Sequence, residues 1–255
     1  MKTLRYCLTG LLSLSLGLQA APAQQVAQVP TAAQTVATAA FEQYLLRTYT
    51  AANLGPTGLS VPLLRNALIG YYNLKARGLA RRPVLTVIDF SRRSRENRLW
   101  VIDLNRSRLL YHTLVAHGRN TGEDEARSFS NLNESNMSSL GFYVTGDTYQ
   151  GKHGLSLKLQ GLDARYNSRA AERAVVVHGA DYVSQEFIRQ HGRLGRSHGC
   201  PALPMAQTHD IIRIIKGGSV LYVQGPSSVP YASNWLNLNA ALPTFMRSAQ
   251  AGGAS

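Results

Sequence analysis

Ala174-Val175-Val176-Val177-His178-Gly179 and, after a gap of seventeen residues (Ala180 to Arg196), Ser197-His198-Gly199-Cys200-Pro201-Ala202-Leu203 decide how the rest of the chain is read. Consecutive β-branched valines suit a pleated, buried strand better than a helix. The first segment therefore predicts a strand that delivers His178-Gly179 at its end. The second, beginning at Gly195-Arg196, is a glycine-punctuated loop that holds one cysteine. A thiol is an effective acyl acceptor as its thiolate, and a nearby imidazole can take that proton and later return one to a leaving amine. Gly199 lets the backbone turn so that amides around Cys200 can face a developing oxyanion. The two segments together predict an acyl-transfer site, with the thiol held as a thiolate–imidazolium ion pair and its pKa below the free value.

Two plainer readings use the same residues. A cysteine is often a small buried hydrophobe, and a histidine after a strand is often structural. His178, His198 and Cys200 are also zinc-ligand types. A zinc site needs three or four well-spaced ligands, however, and the chain has no Cys-x-x-Cys and no His-Glu-x-x-His. No metal and no cofactor is expected.

The spacing and the flanking text resemble a known family. His-Gly, a gap of about this length and Ser-His-Gly-Cys look like the signature of the YkuD-type L,D-transpeptidases of bacterial cell walls, and the similarity runs from about Val84 to Tyr222. Ser138-Ser139-Leu140-Gly141, Gly151-Lys152-His153-Gly154 and Cys200-Pro201-Ala202-Leu203 resemble the subfamily of murein L,D-transpeptidase catalytic domains. The resemblance implies that Cys200 is the nucleophile and His178 its base, with Gly179, Ser197, His198 and Gly199 completing the site. It also implies peptidoglycan stem peptides as the partner and cross-linking, or L,D-carboxypeptidase hydrolysis, as the reaction. Many members carry Arg two residues after the cysteine, where this chain has Ala202. Arg196, attached to the motif, is therefore the expected contact for a substrate carboxylate, since an Arg fork suits that group. Lys152 and His153 are expected to touch substrate from a glycine-hinged turn that folds over the site.

Residues 1–23 read as a secretory signal peptide. Lys2 and Arg5 form its positive start, Leu8 to Leu18 its apolar centre and Ala21-Pro22-Ala23 its cleavage site. Cleavage would remove Cys7 and leave Cys200 as the single cysteine of a protein bound for an oxidising compartment, where thiols usually pair. Keeping one unpaired thiol there needs a reason, and nucleophilic catalysis supplies it. The expected location is the periplasm or cell envelope, with no membrane span after cleavage. Removing Lys2 and Arg5 from 27 basic and 14 acidic side chains leaves a net charge of +11. Such a charge attracts anionic envelope polymers and suggests a second reading, a noncatalytic cationic wall-binding module. The basic residues are scattered, with one cluster at Arg92, Arg93, Arg95 and Arg98 that reads as a solvated hairpin loop. Without aromatic interleaving they predict no specific nucleic-acid surface.

Residues 24–40 read as a flexible linker and 41–82 as an N-terminal helical segment, with Ser60 and Pro62 suited to a helix start and Gly78 to its stop. Residues 83–226 read as the catalytic domain. Strands are expected at Val84–Phe90, Leu99–Leu104, Arg108–Ala116, Phe142–Thr145 and Val220–Val223, with Gly146-Asp147 as a turn. Helices are expected at Tyr182–Gln190 and Met205–Lys216. Residues 227–255 read as a polar tail in which Trp235, Leu236 and Leu238 can dock on the domain, disordered from Ala249. Many short strands and few helices predict a mainly β fold, an antiparallel β-sandwich or closed β-structure with an N-terminal helical addition.

Overall fold

The computed structural model describes residues 31–252; the expected signal peptide (1–23) and residues 24–30 of the expected linker lie outside them. Helix α1 (Ala32–Ala51) begins inside the stretch read as linker. Alanine-rich sequence lacks a strong apolar period but has the highest helix propensity, and burial of Phe41, Leu45 and Thr48 fixes one face. Helix α2 (Val61–Ala76) starts where expected: the Ser60 hydroxyl accepts a hydrogen bond from Leu63 N (3.3 Å), with Pro62 in the first turn. It is buried from Leu63 to Asn73 except at Arg65 and Asn66, because it lies flat on the sheet. A Cβ at Gly70 would stand 2.0 Å from the Phe142 ring, so only glycine permits this approach.

The strands are β1 (Val84–Asp89), β2 (Leu99–Asp103), β3 (Arg108–Thr113), β4 (Gly141–Gly151), β5 (Gly154–Gly161), β6 (Val176–Ala180), β7 (Ala202–Pro204) and β8 (Val220–Gln224). They form one sheet in the order β3-β2-β1-β8-β4-β5-β6-β7. The β1–β8 and β6–β7 pairs are parallel and the rest antiparallel. The mainly β expectation holds, with a single sheet bent until its ends meet in place of two stacked sheets. Ala116, just past β3, bridges Ala202 of β7, with Ala116 N donating to Ala202 O at 2.9 Å. That closing contact lies two residues from Cys200.

Both faces of the sheet are covered. Leu85 and Val87 of β1, Trp100 and Ile102 of β2, and Val220 and Tyr222 of β8 face the layer made by α1, α2 and α5 (Leu238–Gly252). Val84, Ile88, Val101, Leu221 and Val223 face the opposite core with Ile211, Ile212 and Ile215 of α4 (Met205–Ile215). Two-sided burial is why these strands read as continuous apolar runs. Helix α3 (Gln185–His191) follows β6.

Four expectations are corrected here. Gly146-Asp147 is not a turn: β4 runs through it, with a register shift between Thr145 and Thr148 that absorbs the extra residues as a bulge. Within the 227–255 tail, residues 238–252 form α5, which holds Pro243 inside it, a residue that ordinarily breaks a helix. Ala249 to Gly252 belong to that helix, so disorder does not begin at Ala249. Arg98 is no solvated loop charge, being 0 % exposed. Its guanidinium donates to Val115 O (3.1 and 2.9 Å), Arg92 O (2.8 Å) and His117 Nδ1 (2.8 Å) and lies 4.8 Å from the Phe90 ring centre. Among the described residues no helix is long and apolar enough to cross a membrane.

Candidate active site

One row of the sheet registers Ser156 of β5, His178 of β6 and Ala202 of β7. Cys200, two residues ahead of Ala202, therefore meets the start of β6. Its Sγ lies 3.5 Å from Val176 N and 3.7 Å from Ala174 O. Ala174 holds a left-handed backbone (φ 52°), a costly conformation for a residue with a Cβ, and this turns its carbonyl to the thiol. Cys200 is partly exposed and unpaired.

His178 is buried, and its Nδ1 lies 2.9 Å from Gly179 O. A carbonyl only accepts, so Nδ1 carries the hydrogen and Nε2 is left with the lone pair. Burial, first, and the nearby charges of His153 and Lys152 lower the pKa of His178 below 6.5, against the opposing Gly179 hydrogen bond. Burial also raises the Cys200 pKa above 9.0, an effect countered by the Val176 N–H and by Arg173 and Lys152. Both directions favour a resting site of neutral thiol and neutral imidazole. Burial thus works against the ion pair expected from residue types alone, because desolvation penalises both charged forms.

Ser197 closes the loop. Its N donates to His117 O (3.0 Å), its hydroxyl donates to Cys200 O (2.6 Å), and the same hydroxyl accepts from Gly199 N (3.0 Å). Gly199 adopts φ 124°, and a Cβ there would stand 2.7 Å from Met137 O and 3.2 Å from Arg173 Nη2. Gly179 is a packing position, where a Cβ would press on Met205 Sδ (2.7 Å) and Thr208 Oγ1 (2.8 Å) of α4. His198 is exposed at the rim.

A cavity of about 380 Å³ brings Cys200, His178, Ser197, His198, Arg196, Lys152 and His153 together. Lys152 and His153 form the turn of the β4–β5 hairpin, and the His153 ring stacks on His178 with centres 4.5 Å apart and planes at 21°. The cavity lining includes three cationic side chains, Lys152, Arg173 and Arg196, and no carboxylate. A larger depression of about 830 Å³, beside Asp163 and Trp235, is lined by neither cysteine nor histidine. No group of three or more metal-ligating side chains occurs among the described residues.

Arg196 lines the cavity, with one nitrogen of its fork engaged elsewhere. Nη1 pairs with Glu123 Oε1 (2.5 Å) and also lies near Arg119 O (3.2 Å) and Gly122 O (3.3 Å). Glu123 binds Arg193 as well (2.8 Å). Through Nη1, Arg196 ties the Ser197–Cys200 loop to the 119–123 turn. Arg173 is the residue that sequence reasoning missed. Its four acceptors lie between residues 130 and 139, and no local pattern announces a contact across that separation.

The L,D-transpeptidase catalytic domain model, YkuD_2, matches residues 56–224, beginning within the helical segment ahead of α2. No curated protein matches the sequence. Solved structures similar to the chain include an L,D-transpeptidase from Mycobacterium smegmatis, at 15% identity and a TM-score of 0.34 over 56% of this chain and 59% of that one. An L,D-transpeptidase from Mycobacterium tuberculosis H37Rv gives 15% and 0.34 over 56% and 57%. The helical cell shape determining protein Pgp2 from Campylobacter jejuni gives 9% and 0.40 over 71% and 64%. The chain thus spans under two thirds of the length of these structures. Because the family match takes in well over half of the sequence, the protein belongs to the L,D-transpeptidase catalytic domain family.

Proposed function

We propose that the protein is a cysteine acyltransferase acting on peptidoglycan stem peptides in the cell envelope. Cys200 Sγ attacks the carbonyl carbon of an L-to-D peptide bond while its proton passes to His178 Nε2. Gly199 N–H is committed to Ser197, whereas Cys200 N–H has no acceptor among the described residues and is available to the oxyanion. The imidazolium returns its proton to the departing D-amino acid nitrogen as the tetrahedral intermediate collapses to a thioester. An amine of a second stem then takes the acyl group, giving a cross-link, or water takes it, giving carboxypeptidase hydrolysis. In either case the thiol is regenerated.

The observation that carries this reading is the union of an unpaired, partly exposed thiol with a buried imidazole in one cavity lined by cations and free of carboxylates. Stem peptides present carboxylates, and Lys152, which has no ion pair among the described residues, is the available contact for one. Residues 1–23, read as a signal peptide, agree with work at the envelope.

Incubation with disaccharide-tetrapeptide, with products resolved by mass, tests the proposal. The expected outcome is a thioester adduct on Cys200 and release of the terminal D-amino acid, both absent in Cys200→Ser. A folded wild-type protein that forms no adduct and turns over no donor between pH 5 and pH 10, roughly the range in which His and Cys titrate, would refute it.

A further inference from the structure

Arg173 directly precedes Ala174, whose carbonyl meets the Cys200 thiol, and its guanidinium lines the same cavity. Nη1 donates to Ser130 O (2.7 Å) and Ser139 Oγ (2.5 Å), and Nη2 to Met137 O (2.6 Å) and Ser135 Oγ (3.2 Å). All four acceptors are neutral. Among the described residues no carboxylate pairs with Arg173. A cation fixed by neutral dipoles, half withdrawn from water and lacking a counter-ion, favours an anion that forms beside it.

The other charged or titratable groups lining the thiol's cavity are Tyr149 on β4, Lys152 and His153 on the hairpin turn, His178 on β6, Tyr182 beyond it, and Arg196 and His198 on the thiol's own loop. Lys152 rides on an exposed turn, and Arg196 is paired with a carboxylate, Glu123, that it shares with Arg193. His178 is the proton acceptor, His153 stacks on it, and His198 lies exposed at the rim. Arg173 alone is both fixed and uncompensated.

We infer that Arg173 is the resident counter-ion of Cys200. When Sγ gives its proton to His178 Nε2, the negative charge left on sulfur is balanced by the Arg173 guanidinium, so Arg173 acts as a positioning residue that favours thiolate. The mutual electrostatics agree: Arg173 lowers the thiol pKa, and the thiolate raises that of Arg173. The inference rests on the proposed function only in taking Cys200 as the reactive group.

Iodoacetamide alkylation of Cys200, followed by mass across a pH series on the full chain, needs no murein and therefore fails or succeeds independently of the proposed activity. Arg173→Gln removes the charge, Arg173→Lys keeps it, and Ser139→Ala removes two loop hydrogen bonds, to Arg173 and to Ser130 O, while keeping it. Ser135→Glu leaves Arg173 in place but sets a carboxylate against Nη2. The alkylation midpoint should rise by about one pH unit in Arg173→Gln and Ser135→Glu, slowing alkylation roughly tenfold at a fixed pH below it. It should stay near wild type in Ser139→Ala and be largely rescued in Arg173→Lys. An unshifted midpoint in Arg173→Gln overturns the inference, as does an equal shift in Ser139→Ala, which would assign the effect to loop order. If Arg173→Gln does not fold, Ser135→Glu decides alone, and an unchanged profile there overturns the inference equally.

Discussion

At His178, burial opposes the charged ring more strongly than the Gly179 carbonyl supports it, and this sets the pH behaviour of the site. Below its pKa the imidazolium has no lone pair to accept the Cys200 proton. Activity therefore rises with pH through the His178 titration, and since that pKa is lowered from 6.5, the acid limb of kcat/KM should lie below pH 6.5. The thiol is shifted upward from 9.0, so alkylation of the resting protein should climb in the alkaline range, well separated from the acid limb of turnover. Fast alkylation at pH 6 would show a resting ion pair and contradict the neutral one. That Cys200 and His178 share one cavity was legible in the sequence, because both stand in a glycine-marked motif. Their protonation was not legible: it depends on how deeply β5 to β7 and the hairpin bury them, which residue types do not encode.

The loop and the hairpin divide the cationic lining between them. Arg196, on the catalytic loop, is tied to Glu123 and two carbonyls, while Lys152, on the β4–β5 turn, is untied. Sequence proximity to the motif favoured Arg196, but Glu123 lies far off in the chain, and only tertiary pairing shows that Nη1 is engaged there. Arg196→Ala should therefore leave kcat/KM on tetrapeptide donors within about twofold and cost about 1 kcal/mol of stability or less, the usual range for exposed ion pairs. Lys152→Ala should leave stability unchanged and lower kcat/KM about fivefold, mainly through KM, as expected for losing about 1 kcal/mol of binding. Steady-state kinetics with chemical denaturation of both variants reads the contrast. A large KM effect in Arg196→Ala beside a silent Lys152→Ala would return the carboxylate contact to the loop. The strands around these elements were legible, since their apolar runs are set by burial on two faces. The β4 bulge was not, because Gly146-Asp147 carries the composition of a turn whether or not pairing continues past it.

Across the whole molecule, the helices at either end of the described chain form one layer on the sheet face away from the chemistry. Phe245 of α5 joins them: its ring packs against Phe41 at 5.4 Å, Tyr44 at 5.5 Å and Tyr72 at 5.3 Å. Farther back, Asn73 of α2 donates to Trp235 O (2.7 Å) and Asn237 O (2.9 Å), while Asp163 accepts from Phe142 N (2.7 Å) and Tyr231 Oη (3.0 Å). The tail is thereby tied to both α2 and β4. In residues 227–255 the docking of Trp235, Leu236 and Leu238 was legible, but α5 was not: Pro243 and scattered polar residues hide a helix whose apolar face is defined only by α1 and α2. If α5 is integral to the layer, Phe245→Ala leaves a cavity among three aromatic rings and should cost about 3–5 kcal/mol in denaturant unfolding. For a protein of this size each kcal/mol lowers Tm by about 2–4 °C. Because no ring in the cluster lines the Cys200 cavity, the alkylation profile of Cys200 below the unfolding transition should match wild type. A loss under about 1 kcal/mol would mean that α5 merely rests on the domain. A shifted alkylation profile would mean instead that the helical layer sets the geometry of the thiol from across the sheet.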